Sequence, residues 1–286
     1  MQMEHPHHRD AREGGGMPRE PDHAATVMLL RSNGASTAPE AEGLEVLLLR
    51  RARTMSFAPS VYAFAGGRVD PRDADLGAPG EDPAPSWWSG PDPKLWAERL
   101  RVPVPLARAL VCAAVRETFE ESGVLLAGES ATDVITDTRG DDWEADRRSL
   151  IERSLSFSAF LERRGLILRS DLLLPWSRWI TPRKEPRRYD TRFFAAVLPE
   201  GQQTRDFGEE HDHVLWMRPD DAVGRWRRGD LAMLTPTVAT CEELANCGSL
   251  ESVMAAERDI VPIEPEVRQV GGELRVVVPG GMEYPL

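Results

Sequence analysis

Residues 116–124 read Arg116-Glu117-Thr118-Phe119-Glu120-Glu121-Ser122-Gly123-Val124. The spacing predicts the end of a helix running from about Leu106 to Ser122, with Leu106, Leu110, Ala113 and Ala114 as its apolar stripe. Gly123 stands where a helix-ending glycine belongs. On such a helix Glu117 lies one turn from both Glu120 and Glu121, so the carboxylates share a face. They repel one another by a few tenths of a kcal/mol per pair. They also crowd the negative end of the helix dipole. A bound divalent cation reverses the sign of both effects. Oxygen ligands without His or Cys favour Mg²⁺ or Mn²⁺ over zinc. Arg116, four residues before Glu120, is placed to orient it. A solvated, charged helix end fits the same spacing.

Outward from this helix the pattern is α/β. Ala24–Leu30, Leu44–Leu49 and Val61–Ala65 read as strands, the last ending at Gly66-Gly67. Residues 71–104 hold seven prolines and three glycines, which excludes continuous helix or strand. They read as an insertion with one short helix near Lys94–Leu100, pinned by Trp87-Trp88. Residues 142–166 read as two helical pieces, and Arg192–Leu198 and His213–Met217 as late strands. Pro219 opens one helix, and Thr235-Pro236 caps another that runs to about Asn246. A hairpin is expected around Gly271-Gly272. The organisation read from this is a disordered tail over 1–22, one α/β domain over 23–264 with its insertion at 71–104, and an extension over 265–286.

The 286 residues carry a net charge of −12, which argues against nucleic-acid or membrane-surface partners. No apolar run reaches the ~18 residues of a membrane span. Three cysteines without a CxxC fit a reduced, cytoplasmic protein. Against the acidic background Arg183, Lys184, Arg187, Arg188 and Arg192 reverse the local sign and suggest an anion site. Arg50, Arg51 and Arg53 form a second basic group.

The segment 116–124 resembles the second half of the Nudix box, G-x5-E-x7-R-E-U-x-E-E-x-G-U, and Phe64-Ala65-Gly66-Gly67 resembles the F-P-G-G that opens it. Here residues 71–104 separate the halves. A split box of this kind resembles the branch containing peroxisomal coenzyme A diphosphatases and bacterial relatives, as do Arg178-Trp179-Ile180-Thr181-Pro182 and Arg188-Tyr189-Asp190-Thr191-Arg192-Phe193-Phe194. Departures are Thr118 at an apolar position and Ala65 in place of proline. Counted back from Arg116, the first-half glutamate falls on Arg108, which leaves that acid missing or supplied by the insertion, with Asp70 as a stand-in. The motif of coenzyme A-cleaving members is matched only in part, at Leu47, Leu48, Arg51, Ala52, Phe64, Gly66 and Gly67.

This resemblance implies an α/β/α sandwich with a mixed sheet. It also implies hydrolysis of a diphosphate with Mg²⁺ or Mn²⁺, the expected substrate being coenzyme A or acyl-CoA and the products 3′,5′-ADP and (acyl-)phosphopantetheine. A nucleotide sugar, NADH or a nucleoside triphosphate are alternative substrates, and a non-catalytic ligand-binding domain is the alternative of another class. By carry-over Glu117 and Glu121 are metal ligands, Glu120 is a ligand or a partner of one, and Arg116 holds Glu120. Glu210 or Glu209 is the expected base or an extra ligand, and a solvated acidic loop that also holds His211 and Asp212 fits the same stretch. Gly66 and Gly67 approach the site, while Arg51, Arg187 and Arg188 contact the substrate. The expected partner is a small-molecule diphosphate, and a homodimer is the candidate assembly.

Overall fold

In the strand Asp22–Asn33, Ala25, Val27 and Leu29 point to one buried cluster, and Met28 and Leu30 to another. A strand buried on both faces belongs to the middle of a layered fold, which is why it reads as a continuous apolar run. The protein is described here from a computed structural model covering residues 20–33, 43–52, 58–74, 84–205 and 211–285. All but the last three residues of the expected 1–22 tail fall outside these. Asp22 already pairs with Tyr189.

In chain order the elements are β1 (Asp22–Asn33), β2 (Gly43–Arg51), β3 (Tyr62–Ala63), β4 (Ala65–Arg68), α1 (Pro71–Ala74), β5 (Trp88–Ser89), α2 (Pro93–Leu100), α3 (Val104–Ser122) and β6 (Ala127–Gly128). There follow α4 (Asp141–Ile151), α5 (Phe157–Arg164), β7 (Ile167–Arg169), β8 (Leu174–Ile180), β9 (Tyr189–Val197), β10 (His211–Met217), α6 (Pro219–Arg227), α7 (Thr235–Cys247) and α8 (Leu250–Met254). The chain closes with β11 (Pro262–Ile263), β12 (Glu266–Val270), β13 (Glu273–Val277) and β14 (Glu283–Pro285).

The main sheet runs β10-β2-β1-β9-β8-β11, with β3 beside β2 and β4 beside β1. It is mixed: β1–β9 and β8–β11 are parallel, the other pairs antiparallel. Leu47 and Leu49 of β2 and Phe194 and Ala196 of β9 join α2, α3 and α5 in the first core. Val46, Leu48, Phe193 and Ala195, on the alternate positions, join α6, α7 and α8 in the second. Helices on both faces of a mixed sheet make the expected α/β/α sandwich.

Several details differ from the sequence reading. The strand expected over Val61–Ala65 is two short ones, because the chain leaves β2 after Ala63 and joins β1 at Ala65. Gly66-Gly67 therefore lies inside β4. Helix α3 is buried nearly all round from Ala107 to Val115, and its apolar character is not confined to a stripe. Helix α7 takes Leu234 as its cap and has no side-chain cap. The described part of the insertion is integral to the fold: Trp87 and Trp88 are buried in the first core, and Trp96 of α2 is fully buried there.

Candidate active site

Helix α3 ends at Gly123, whose φ of 75° closes the last turn through its N–H to the Phe119 carbonyl. This brings the last two turns of α3 against β4. The Gly66 N–H donates to Glu121 Oε2 at 2.8 Å. A Cβ on Gly67 would lie no more than 2.6 Å from the Glu117 carboxyl atoms, so only glycine allows this approach.

Arg116 organises the carboxylates. Its Nε and Nη2 donate to the two Asp73 oxygens, each at 2.9 Å. Nη1 donates to Glu117 at 2.8 Å and Glu120 at 3.1 Å, and Nη2 also to the Arg68 carbonyl at 3.0 Å. All five guanidinium donors are used, as a buried cation requires. Burial alone would lower the Arg116 pKa; Glu117, Asp73 and Glu120 outweigh that effect and raise it. Desolvation pushes Glu117 up to about 7, with repulsion from Glu120 and Asp73 adding to it and Arg116 opposing it. The donor set is therefore anionic and oxygen-only, strained by like charge, and fits a hard divalent cation. Among the described residues no three ligand-type side chains yet converge on one point. Glu117 and Glu120 turn to Arg116 instead, and Glu121 to Gly66.

Of the two alternatives, an acid missing or one supplied by the insertion, the structure favours the second, with Asp73 bonded to Arg116. Asp73 is the sixth residue after Gly67, where G-x5-E places it, with aspartate for glutamate. Counting back from Arg116 stays within α3, short of the insertion, and gives Arg108, eight residues up the helix and so about 12 Å along its axis. Asp70 is not the stand-in: Arg72 holds it in a two-pronged pair and keeps its carboxyl well below the usual range. Helix α1, four residues long, delivers Asp73 under Arg116.

Glu117, Glu120 and Glu121 line one end of a cavity of about 1910 Å³ that also takes in Gly66, Gly67 and Arg51. Arg187 and Arg188 are not in its lining. Arg188 donates to the Thr181 carbonyl and to Glu264 at 2.9 Å, and Arg187 is exposed elsewhere. Arg192 is 1% exposed beside Asp190, which also binds Arg178. The basic run is thus largely committed to carboxylates, and Lys184 alone of its five cations borders the cavity. Arg68, Arg72, Arg147 and Arg153 border the acid end instead.

Glu209 and Glu210 lie outside the described residues. His211, next along the chain, is buried with Nε2 3.8 Å from Glu121 Oε1. Sequence reasoning assigned it to a solvated acidic loop. No local pattern in the sequence marks it; the structure puts it at the head of β10, opposite Arg51 in register.

The Glu117 shift has a testable sign. The folded chain keeps that proton up to about pH 7, whereas an ordinary glutamate loses it near 4.5. Its contribution to stability is full below pH 4.5 and is lost as pH rises through about 7. The metal-free protein should lose melting temperature across this window, and Glu117→Gln should flatten the slope. Parallel slopes in thermal scans of the two proteins would reject the assignment.

A family model for the NUDT19 Nudix domain matches residues 22–244. The chain is 27% identical to the chicken (Gallus gallus) acyl-coenzyme A diphosphatase NUDT19 over 271 residues, covering 80% of this chain and 69% of that one. It is 29% identical to the human (Homo sapiens) protein of that name over 247 residues, covering 76% of this chain and 65% of that one. Among solved structures, a Nudix hydrolase from Alicyclobacillus acidocaldarius superposes with a TM-score of 0.69 at 29% identity, covering 84% of this chain and 98% of that one. With the split box folded into one acid cluster around Arg116, the chain belongs to the Nudix hydrolases, within the family of the NUDT19 Nudix domain.

Proposed function

We propose that the protein hydrolyses the diphosphate of coenzyme A or acyl-CoA, with Mg²⁺ or Mn²⁺, to 3′,5′-ADP and (acyl-)phosphopantetheine. The observation that carries this is the acid cluster of Glu117, Glu120 and Glu121, gathered at Gly66-Gly67 and opening on a cavity much larger than a diphosphate. The acyl-coenzyme A diphosphatase names of the similar proteins support the substrate class. We further propose a cytoplasmic location and a homodimer. Among the described residues no helix is long and apolar enough to cross a membrane.

In this reading Glu117 and Glu121 hold the cation, with Glu120 as a further ligand or as the partner that Arg116 keeps in place. The cation supplies charge neutralisation on the diphosphate and makes water a better nucleophile. Arg116 holds two of the carboxylates at fixed positions, so little reorganisation is needed when substrate arrives. The short Glu121–Gly66 bond fixes the third. Glu210 or Glu209 remains the proposed base, and His211 is placed to orient Glu121. Arg51, Arg68 and Arg153, on the cavity wall, are the proposed phosphate contacts; Arg187 and Arg188 are withdrawn from that role.

The test is a panel of CoA, acyl-CoA, dephospho-CoA, NADH, a nucleotide sugar and a nucleoside triphosphate, each with Mg²⁺ and Mn²⁺. CoA compounds should give the highest kcat/KM, and EDTA should abolish turnover while leaving the protein folded. If Arg51 contacts the ribose 3′-phosphate, Arg51→Ala should lower kcat/KM for CoA by about tenfold to a hundredfold and hardly change dephospho-CoA. Preference for another diphosphate would move the reading to that substrate.

A further inference from the structure

The acid end occupies only part of the cavity. Its volume of about 1910 Å³ exceeds the roughly 300–1,000 Å³ that ordinary small-molecule sites need. The floor crosses the sheet. Gly66 pairs with Thr26, Thr26 with Phe193, and Thr191, two residues before Phe193, with Trp179. All of these line the cavity, which therefore spans β4, β1, β9 and β8, or about 14 Å at the usual strand spacing. Along that path carboxylates and arginines give way to aromatic and aliphatic groups.

The opposite wall is the separate sheet β12-β13-β14. Leu274 and Val276 alternate onto one face of β13, and Val276 is opposite both Val267 and Tyr284. That apolar face looks into the cavity. The other face carries the Arg268–Glu266 and Arg275–Glu273 ion pairs. Tyr284 anchors the sheet: it is buried, its hydroxyl donates to Glu242 Oε2 of α7 at 2.9 Å, and its ring lies 6.2 Å from that of Trp226. The anchored face is nonetheless unfilled. Leu274 is 45% exposed, Met282 53% and Leu234 39%. These are three of the five exposed large apolar side chains among the described residues, and all three line this one cavity. Apolar groups left wet around a concave site mark a place for an apolar ligand.

We infer that this limb of the cavity seats the acyl chain of the substrate, and that the C-terminal sheet, through Leu274 and Met282, sets preference for acyl chain length. The inference rests on the diphosphatase reading, because the limb is continuous with the acid end. An extended pantetheine arm is long enough to carry a thioester across the intervening strands. The family match ends at residue 244, and the sheet lies beyond the matched residues.

The test compares wild type, Leu274→Glu and Met282→Glu, whose exposed positions spare the core, with Arg275→Ala on the outward face. Measured are kcat/KM for CoA, hexanoyl-CoA and dodecanoyl-CoA, and equilibrium binding of CoA and dodecanoyl-CoA in EDTA. Wild type should prefer dodecanoyl-CoA to CoA by on the order of tenfold or more in both assays. Each glutamate variant should lose most of that preference, and Arg275→Ala should keep it. Equal handling of CoA and dodecanoyl-CoA by wild type, or an unchanged ratio in both glutamate variants, overturns the inference. A glutamate variant that changes sedimentation but not the ratio also overturns it, in favour of a second copy of the chain on this face. Failure to cleave any CoA compound brings down the diphosphatase reading itself; cleavage without chain-length dependence brings down the acyl limb alone.

Discussion

Glu121→Gln should lower kcat/KM by at least about a hundredfold while leaving the far-UV spectrum unchanged. The amide keeps an oxygen that can accept from the Gly66 N–H, so the local geometry survives. What disappears is one negative charge of the set proposed to hold the cation. Removing it also relieves acidic crowding at the negative end of α3, so the metal-free variant should be as stable as wild type or more stable by a few tenths of a kcal/mol. The two effects have opposite signs. Loss of turnover through misfolding would lower stability, whereas loss through the cation site would not. Turnover near wild type, in a variant with normal metal response, removes Glu121 from the site.

Asp73→Ala should be costly in the other way. Two of the five Arg116 donors end on Asp73, which is 2% exposed, and no other residue in the site replaces it. Its removal leaves a buried guanidinium partly unpaired, at a cost of about 3 kcal/mol. Arg116 also loses the contact that aims it at Glu117 and Glu120, so kcat/KM should fall with stability. Asp70→Ala is the comparison. Asp70 pairs with the partly exposed Arg72, so its loss should cost no more than about 1 kcal/mol. Denaturant unfolding of the two variants separates them. Equal losses would mean that Asp73 is not the acid that supports Arg116.

Much of this was legible in the chain because it is local. The acids of α3 and its closing glycine lie within one stretch, and helical spacing alone puts Glu117, Glu120 and Glu121 on one face. Strands β1, β2 and β9 announce themselves as apolar runs, since both faces of the sheet are covered there. What was misread depends on partners remote in sequence. The sign reversal around Arg183–Arg192 looked like an anion site because Asp190 sits among five cations and Glu264 lies far along the chain. Asp73 is accessible to a forward count from Gly67, whereas a backward count from Arg116 ends in α3, on the far side of the insertion. The break at Phe64 reflects a change of pairing strand, which no local pattern encodes. The Gly271-Gly272 hairpin is visible in sequence, whereas its place over the cavity is a tertiary fact.

The most direct test of the central claim is to identify the products that the purified full chain forms from CoA. With Mn²⁺ or Mg²⁺ present, chromatography with mass detection should show 3′,5′-ADP and phosphopantetheine in equal amounts, both absent with EDTA and nearly absent with Glu121→Gln. Release of inorganic phosphate and dephospho-CoA, or equal product from wild type and Glu121→Gln, would contradict diphosphate cleavage by the carboxylates of α3.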